Sequence, residues 1–203
     1  IKGEYISKGL ANKAYSDATQ PESIHRVLAS IQVSASDYQK ITKSSDKQKA
    51  RYVFFPGCNV YFQPEKILNA LDIMDAVGDD YTFLSGLDNC CGSGAICWFP
   101  ESCTQFREDR LKEAAKTGAE RLVAICHYCG QTFADEEQRF DFRVTNYVSL
   151  VAEAIGIKRD DKFKIYTQWG DLDRIIKHAD EYIAESDFDK KRIVEVLKTV
   201  FIQ

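Results

Sequence analysis

The stretch Arg121-Leu122-Val123-Ala124-Ile125-Cys126-His127-Tyr128-Cys129 decides the fold. Leu122 to Ile125 is a short apolar run without polar alternation, the pattern of a strand covered on both faces. It delivers Cys126 at its carboxyl end. Working outward, the same pattern recurs. Tyr52-Val53-Phe54-Phe55 is a wholly apolar strand ending at Pro56-Gly57-Cys58. Tyr81-Thr82-Phe83-Leu84 reads as a second strand, running through Gly86 into Asn89-Cys90-Cys91-Gly92. Between them Pro64-Glu65 opens a helix with Ile67, Leu68, Ala70, Leu71 and Met74 on its inner face, closed by Gly78. A charged helix is expected from about Phe106 to Thr117, stopping at Gly118. Phe142-Arg143-Val144 reads as a further strand piece before a helix from Tyr147 to Ile155, capped by Gly156. Short apolar runs separated by helices predict an α/β fold, a parallel sheet with crossover helices. The cysteines fall at strand carboxyl ends, where such sheets gather their ligands.

Residues 1–50 read as a helical appendage and linker, and 51–203 as the cysteine-bearing domain with its C-terminal helices. In the appendage, Ile24, Val27, Leu28 and Ile31 recur at helical spacing after Pro21. The polar run Thr42-Lys43-Ser44-Ser45-Asp46-Lys47-Gln48-Lys49 reads as a solvated connector. Glu181 to Phe201 reads as one or two amphipathic helices carrying Ile193, Val194, Val196, Leu197 and Val200.

The 203 residues, 44% of them hydrophobic with 12 Phe and 10 Tyr, suffice for a sizeable core. A net charge of −4 leaves no basic stripe to neutralise phosphates, so nucleic acid is not expected as a partner. No apolar run approaches the roughly 18 residues of a membrane span. Ile1-Lys2-Gly3-Glu4-Tyr5 lacks the apolar core of a signal peptide, and the chain reads as cytoplasmic. The absence of an initiator Met suggests a processed product or a fragment.

All seven cysteines lie between Cys58 and Cys129. An odd number confined to mid-chain, without a secretory signal, is a poor disulfide framework and points to metal or redox work. The spacing is C-x31-CC-x34-C-x-x-C, made by Cys58, Cys90, Cys91, Cys126 and Cys129. Thiolates hold iron–sulfur clusters, and clustered thiolates need a cation nearby to stay deprotonated. Adjacent cysteines reach one cluster only from a tight turn, for which Gly92 supplies the backbone freedom. Five thiolates exceed the four of a cubane, so either one is spare or the geometry is unusual. Zinc, which takes four thiolates in a tetrahedron, is the rival ligand. Cys97 reads as a buried small hydrophobe; Cys103 reads either so or as a helix-start thiol. His127 is expected to face away from the ligands or to hydrogen-bond near them, and His25 and His178 are given no role. Gly92-Ser93-Gly94 lacks the Lys-Ser/Thr ending of a phosphate loop and reads as a turn.

The five-cysteine pattern, with Gly57 before the first and Gly92 after the pair, resembles the cysteine-rich CCG domain over roughly residues 51–155. That domain occurs in the catalytic B subunit of heterodisulfide reductases and in related glycerol-3-phosphate dehydrogenase, lactate-utilisation and respiratory subunits. The resemblance implies a non-cubane 4Fe-4S cluster on Cys58, Cys90, Cys91, Cys126 and Cys129, used in disulfide reduction or electron transfer within a larger oxidoreductase complex. It implies as partners a ferredoxin-like iron–sulfur subunit or domain, a flavoprotein subunit and a thiol disulfide substrate. Some members of the family take zinc, so the alternative is a zinc-stabilised assembly domain without a redox role. The archetypal B subunit resembles two CCG repeats, whereas one is seen here. No C-x2-C-x2-C-x3-C-P ferredoxin run is present, so any feeding cubane clusters are expected in another subunit or outside this stretch of polypeptide.

Overall fold

The computed structural model describes residues 24–45, 47, 49–85, 91–93 and 100–202. The chain divides into two compact units, one extending to Lys158 and the other from Arg159 onward.

The first unit is built on four parallel strands, β1 (Tyr52–Phe55), β2 (Tyr81–Phe83), β3 (Arg121–Ala124) and β4 (Arg143–Asn146), in the order β2-β1-β3-β4. Central β1 pairs Phe54 with Phe83 on one side and with Val123 on the other. Alternation along the strands assigns each side chain to one of two cores. Tyr52, Phe54 and Val123 face one layer, and Val53, Phe55, Leu122 and Ala124 face the other. Both layers are covered, which is why β1 carries four buried apolar residues in a row.

The first layer contains α2 (Ala35–Thr42), α4 (Pro64–Ala76) and α7 (Tyr147–Ala154), contributing Ile41, Ile67, Leu71, Met74 and Leu150. The second contains α5 (Pro100–Lys116) and α6 (His127–Ala134), through Leu111, Ala114 and Phe133. Among the described residues this unit also holds two short helices, α1 (Ile24–Ser30) and α3 (Asn59–Phe62), and a 3-10 turn at Glu137–Arg139. After β1 the chain crosses through α4 on one layer to β2; after β3 it crosses through α6 on the opposite layer to β4. The carboxyl ends of β1 and β3, which are neighbours, therefore form a topological switch point, where the connections part and leave a crevice.

Several expected boundaries move. The charged helix begins at Pro100 rather than near Phe106, because a proline is well placed at the first helical position. The last strand is Arg143–Asn146, with Phe142 buried just before it. The run at 42–49 is more than a connector. Within it Ser45 N–H donates to the Phe83 carbonyl at 2.7 Å, and Thr82 Oγ1 donates to the Lys47 carbonyl at 2.9 Å. Those bonds cover the outer edge of β2, an edge that would otherwise offer unpaired backbone to another strand. Expectations for residues 1–23 lie outside the described residues.

The second unit comprises α8 (Lys162–Trp169), α9 (Leu172–His178), α10 (Asp180–Ala184) and α11 (Lys190–Phe201). Asp161, Asp171 and Asp189 cap α8, α9 and α11 by accepting backbone N–H bonds, each replacing a donor partner that a helix start lacks. Tyr166, Ile175 and Ala179 form its core, with Trp169, Leu197 and Phe201 packed against them. His178 has a structural place here, its Nδ1 lying 3.1 Å from the Tyr166 hydroxyl. Among the described residues no helix is long and apolar enough to cross a membrane.

Candidate metal centre

Three loops at the carboxyl edge of the sheet bring thiols to the switch point. The first leaves β1 through Pro56 and Gly57. Gly57 has φ +59, and a Cβ there would stand 3.0 Å from the Cys129 sulfur. Asn59 Nδ2 donates to the Pro56 carbonyl at 3.0 Å and pins this turn. Cys58 is half-buried at its end. Burial, with Cys126 and Cys91 close by, holds its thiol above the usual pKa.

The second loop leaves β3. Cys126 takes an extended conformation as the N-terminal residue capping α6, and Cys129 lies one turn inside the helix, 1% exposed. The Cys129 thiol and the backbone N–H groups of Cys129 and Tyr128 favour the Cys126 thiolate and lower its pKa to about 5 despite partial burial. Cys129 moves the opposite way, upward, because the neighbouring Cys126 and Cys91 sulfurs and its burial favour the protonated thiol.

The third contribution is the CCG turn after β2. Cys91 is 5% exposed, and its sulfur lies 3.1 Å from that of Cys129. Gly92 adopts φ +80, and a Cβ on it would meet the backbone of Cys103 at 2.6 Å. Cys103 itself is buried within α5. Its thiol pKa is raised by burial and by the neighbouring Cys91, so it is a packed thiol of the turn's support. Sequence reasoning left its role open; the available signal was Pro100, which marks the start of the helix that carries Cys103.

Four of the five expected ligands, Cys58, Cys91, Cys126 and Cys129, thus converge, while Cys90 and Cys97 lie outside the described residues. His127 and Tyr128 between the paired cysteines are exposed, their rings 5.6 Å apart, so the imidazole points away from the buried sulfurs. Among the described residues no group of three His, Cys, Asp or Glu side chains already stands at metal-holding separations. The Cys91–Cys129 separation of 3.1 Å is that of a hydrogen bond. It is shorter than the roughly 3.8 Å edge of a tetrahedron with metal–sulfur bonds of about 2.3 Å. A metal group would have to spread these sulfurs.

The donor set nevertheless fits one. The Cys129 thiol donates to Cys91, leaving clustered sulfur lone pairs that a cation would satisfy better. Soft thiolates favour zinc or iron–sulfur clusters over hard oxygen-seeking ions.

Residues 52–134, from the first residue of β1 to the last of α6, match the family model described as "Cysteine-rich domain", CCG. Curated relatives are subunits D of dihydromethanophenazine:CoB–CoM heterodisulfide reductases. That of Methanosarcina barkeri (strain Fusaro) is 32% identical over 72 residues, 34% of this chain and 18% of the relative. That of Methanosarcina mazei is 32% identical over 73 residues with the same coverage. That of Methanosarcina acetivorans is 31% identical over 72 residues, again 34% and 18%. The similarity therefore spans less than a fifth of each relative's length. Residues 52–134, the span containing all five motif cysteines, are thus a cysteine-rich CCG domain within this chain.

Proposed function

We propose that this chain is an iron–sulfur redox module of a larger oxidoreductase, holding its cluster through Cys58, Cys90, Cys91, Cys126 and Cys129. The observation that carries this reading is the convergence of thiols from three strand-end loops on one switch point, with Cys129 3.1 Å from Cys91 across 38 residues of sequence. Five thiolates favour a non-cubane four-iron cluster over a cubane or a zinc site, both of which take four. Bound there, the cluster would supply one-electron chemistry and an iron able to take a sulfur ligand.

The chain's own contribution is orientation and access. Gly57 and Gly92 allow close backbone approach, and α6 directs N–H groups at Cys126, which favours its thiolate. Cys58 and Cys126 are half-buried, so one side of the site is open to a partner or a small molecule. Two uses follow from that opening: relay of electrons from a ferredoxin-like iron–sulfur partner, with a flavoprotein upstream, or reductive cleavage of a thiol disulfide as in the relatives' named activity. A cytoplasmic setting, where thiols stay reduced, suits both.

The test is anaerobic purification. Brown protein with broad absorption near ~400 nm and matched iron and sulfide supports the reading. Colourless protein carrying one zinc would replace it with a structural zinc domain. Disulfide reduction separates from relay by EPR: a reduced signal unaltered by added thiol, with no disulfide cleaved, leaves relay alone.

A further inference from the structure

The same thiols have a second arrangement open to them when no metal group holds them apart. Cys91 and Cys129 are both buried, and their sulfurs already touch at 3.1 Å. A disulfide needs about 2.05 Å, so closure asks for a shift of only about 1 Å. Neither sulfur is accessible to an oxidant in solution. Cys126 is: it is half-buried, and it stands at the N-cap of α6, three residues before Cys129 in the first turn. The half-buried Cys126 therefore stands close to Cys129 in sequence, and Cys129 touches the equally buried Cys91.

We infer that the metal-free domain is a thiol–disulfide exchanger that takes oxidising equivalents at Cys126 and stores them as a buried Cys91–Cys129 disulfide. The oxidant is a low-molecular-weight disulfide, RSSR. The Cys126 sulfur attacks it, forming a mixed disulfide and releasing one RSH. The Cys129 sulfur then displaces the second RSH, forming Cys126–Cys129. Finally the Cys91 sulfur attacks Cys129, which releases Cys126 as a free thiol and leaves Cys91–Cys129. In sum two protein thiols are oxidised and one RSSR is reduced to two RSH, whose two protons come from Cys91 and Cys129. Excess RSH runs the steps backward.

The buried bond joins the CCG turn to α6 and occupies two proposed cluster ligands. It would protect those ligands from overoxidation and block metal uptake until reduced. The inference uses the same cysteines as the cluster reading but does not need a cluster. A chain that never binds iron can form this bond, and an iron-binding chain can fail to form it.

The experiment uses the full chain, reduced, stripped of metal under anaerobic conditions and then exposed to oxidised glutathione. Free thiols should fall by two per chain. Non-reducing tryptic mapping should join the peptide spanning residues 67–107 to that spanning 122–139. The join should persist in Cys90→Ser and Cys103→Ser and vanish in Cys91→Ser. Cys129→Ser should trap glutathione on Cys126, which also reports that the variant reacts as a folded chain. The oxidised chain should take up iron and sulfide only after dithiothreitol. An internal Cys126–Cys129 bond as the end product, no joined peptides in the unsubstituted chain, or a join that survives Cys91→Ser would each overturn the inference.

Discussion

Gly92 and Cys103 are in backbone contact: a Cβ on Gly92 would lie 2.6 Å from the Cys103 carbonyl oxygen and 2.9 Å from its Cα. This contact gives the glycine of the CCG motif a physical reason beyond its φ of +80. Helix α5 rests against the turn that presents Cys91, and only a residue without a side chain fits between them. Gly92→Ala should therefore cost about 3 kcal/mol or more, a left-handed penalty of roughly 1–2 kcal/mol plus the clash. Gly118→Ala makes the comparison, since Gly118 has φ +66 but nothing within 4 Å of its would-be Cβ. It should cost only the backbone part, about 1 kcal/mol. Urea unfolding of the two variants measures the difference.

Phe133 connects the two other thiol loops. It is fully buried in α6, and its ring meets that of Phe55 edge-on at 5.2 Å, three residues before Cys58. Phe133→Ala should destabilise the domain by about 3–5 kcal/mol. If it stays folded at low temperature, it should hold less than its full complement of iron, because both loops lose their common support. Unfolding midpoints and iron content per folded chain check this.

The surroundings of Cys126 make a pH prediction for the reduced, metal-free chain. Its folded pKa is about 5, well below the usual thiol value. The thiolate there stabilises the fold fully above the unfolded value of about 8.5. That contribution fades as pH falls and is gone below about 5. At pH 7 iodoacetamide should modify Cys126 first, and the rate should fall by half near pH 5. Cys129 and Cys103, whose thiols are buried and pushed up in pKa, should stay unlabelled. Peptide mapping after timed labelling reads all three.

Single substitutions to serine should divide the cysteines into two sets. Changing Cys58, Cys90, Cys91, Cys126 or Cys129 should remove or alter the cluster's visible absorption and EPR signal. Cys97→Ser should leave both intact. Cys103→Ser should leave them intact while lowering stability, since it places a hydroxyl in a site 2% exposed. A Cys97 or Cys103 variant without a cluster would show the ligand set to be wrong.

Much of the sheet was legible in the sequence because its strands are doubly buried. Tyr52–Phe55 and Arg121–Ala124 announce themselves by unbroken apolar runs, and Pro64 and Gly78 bracket α4. The cysteine positions at strand ends were legible for the same reason. Less visible were the short helices. Ala35–Thr42 is polar and buries only Ile41, so no apolar stripe declares it. Lys162–Trp169 and Leu172–His178 depend on aspartate caps and on packing among Tyr166, Trp169 and Ile175, contacts that exist only after folding. At the site, spacing pointed to the five cysteines but not to the support of the turn by Cys103. That contact brings Gly92 against α5, and no local pattern encodes it.

The most direct test of the central claim is iron, sulfide and zinc analysis, with EPR, on the anaerobically purified full chain. About four iron and four sulfide per chain, with a paramagnetic signal lost in Cys91→Ser, is the predicted result. One zinc per chain, with neither sulfide nor signal, would contradict it.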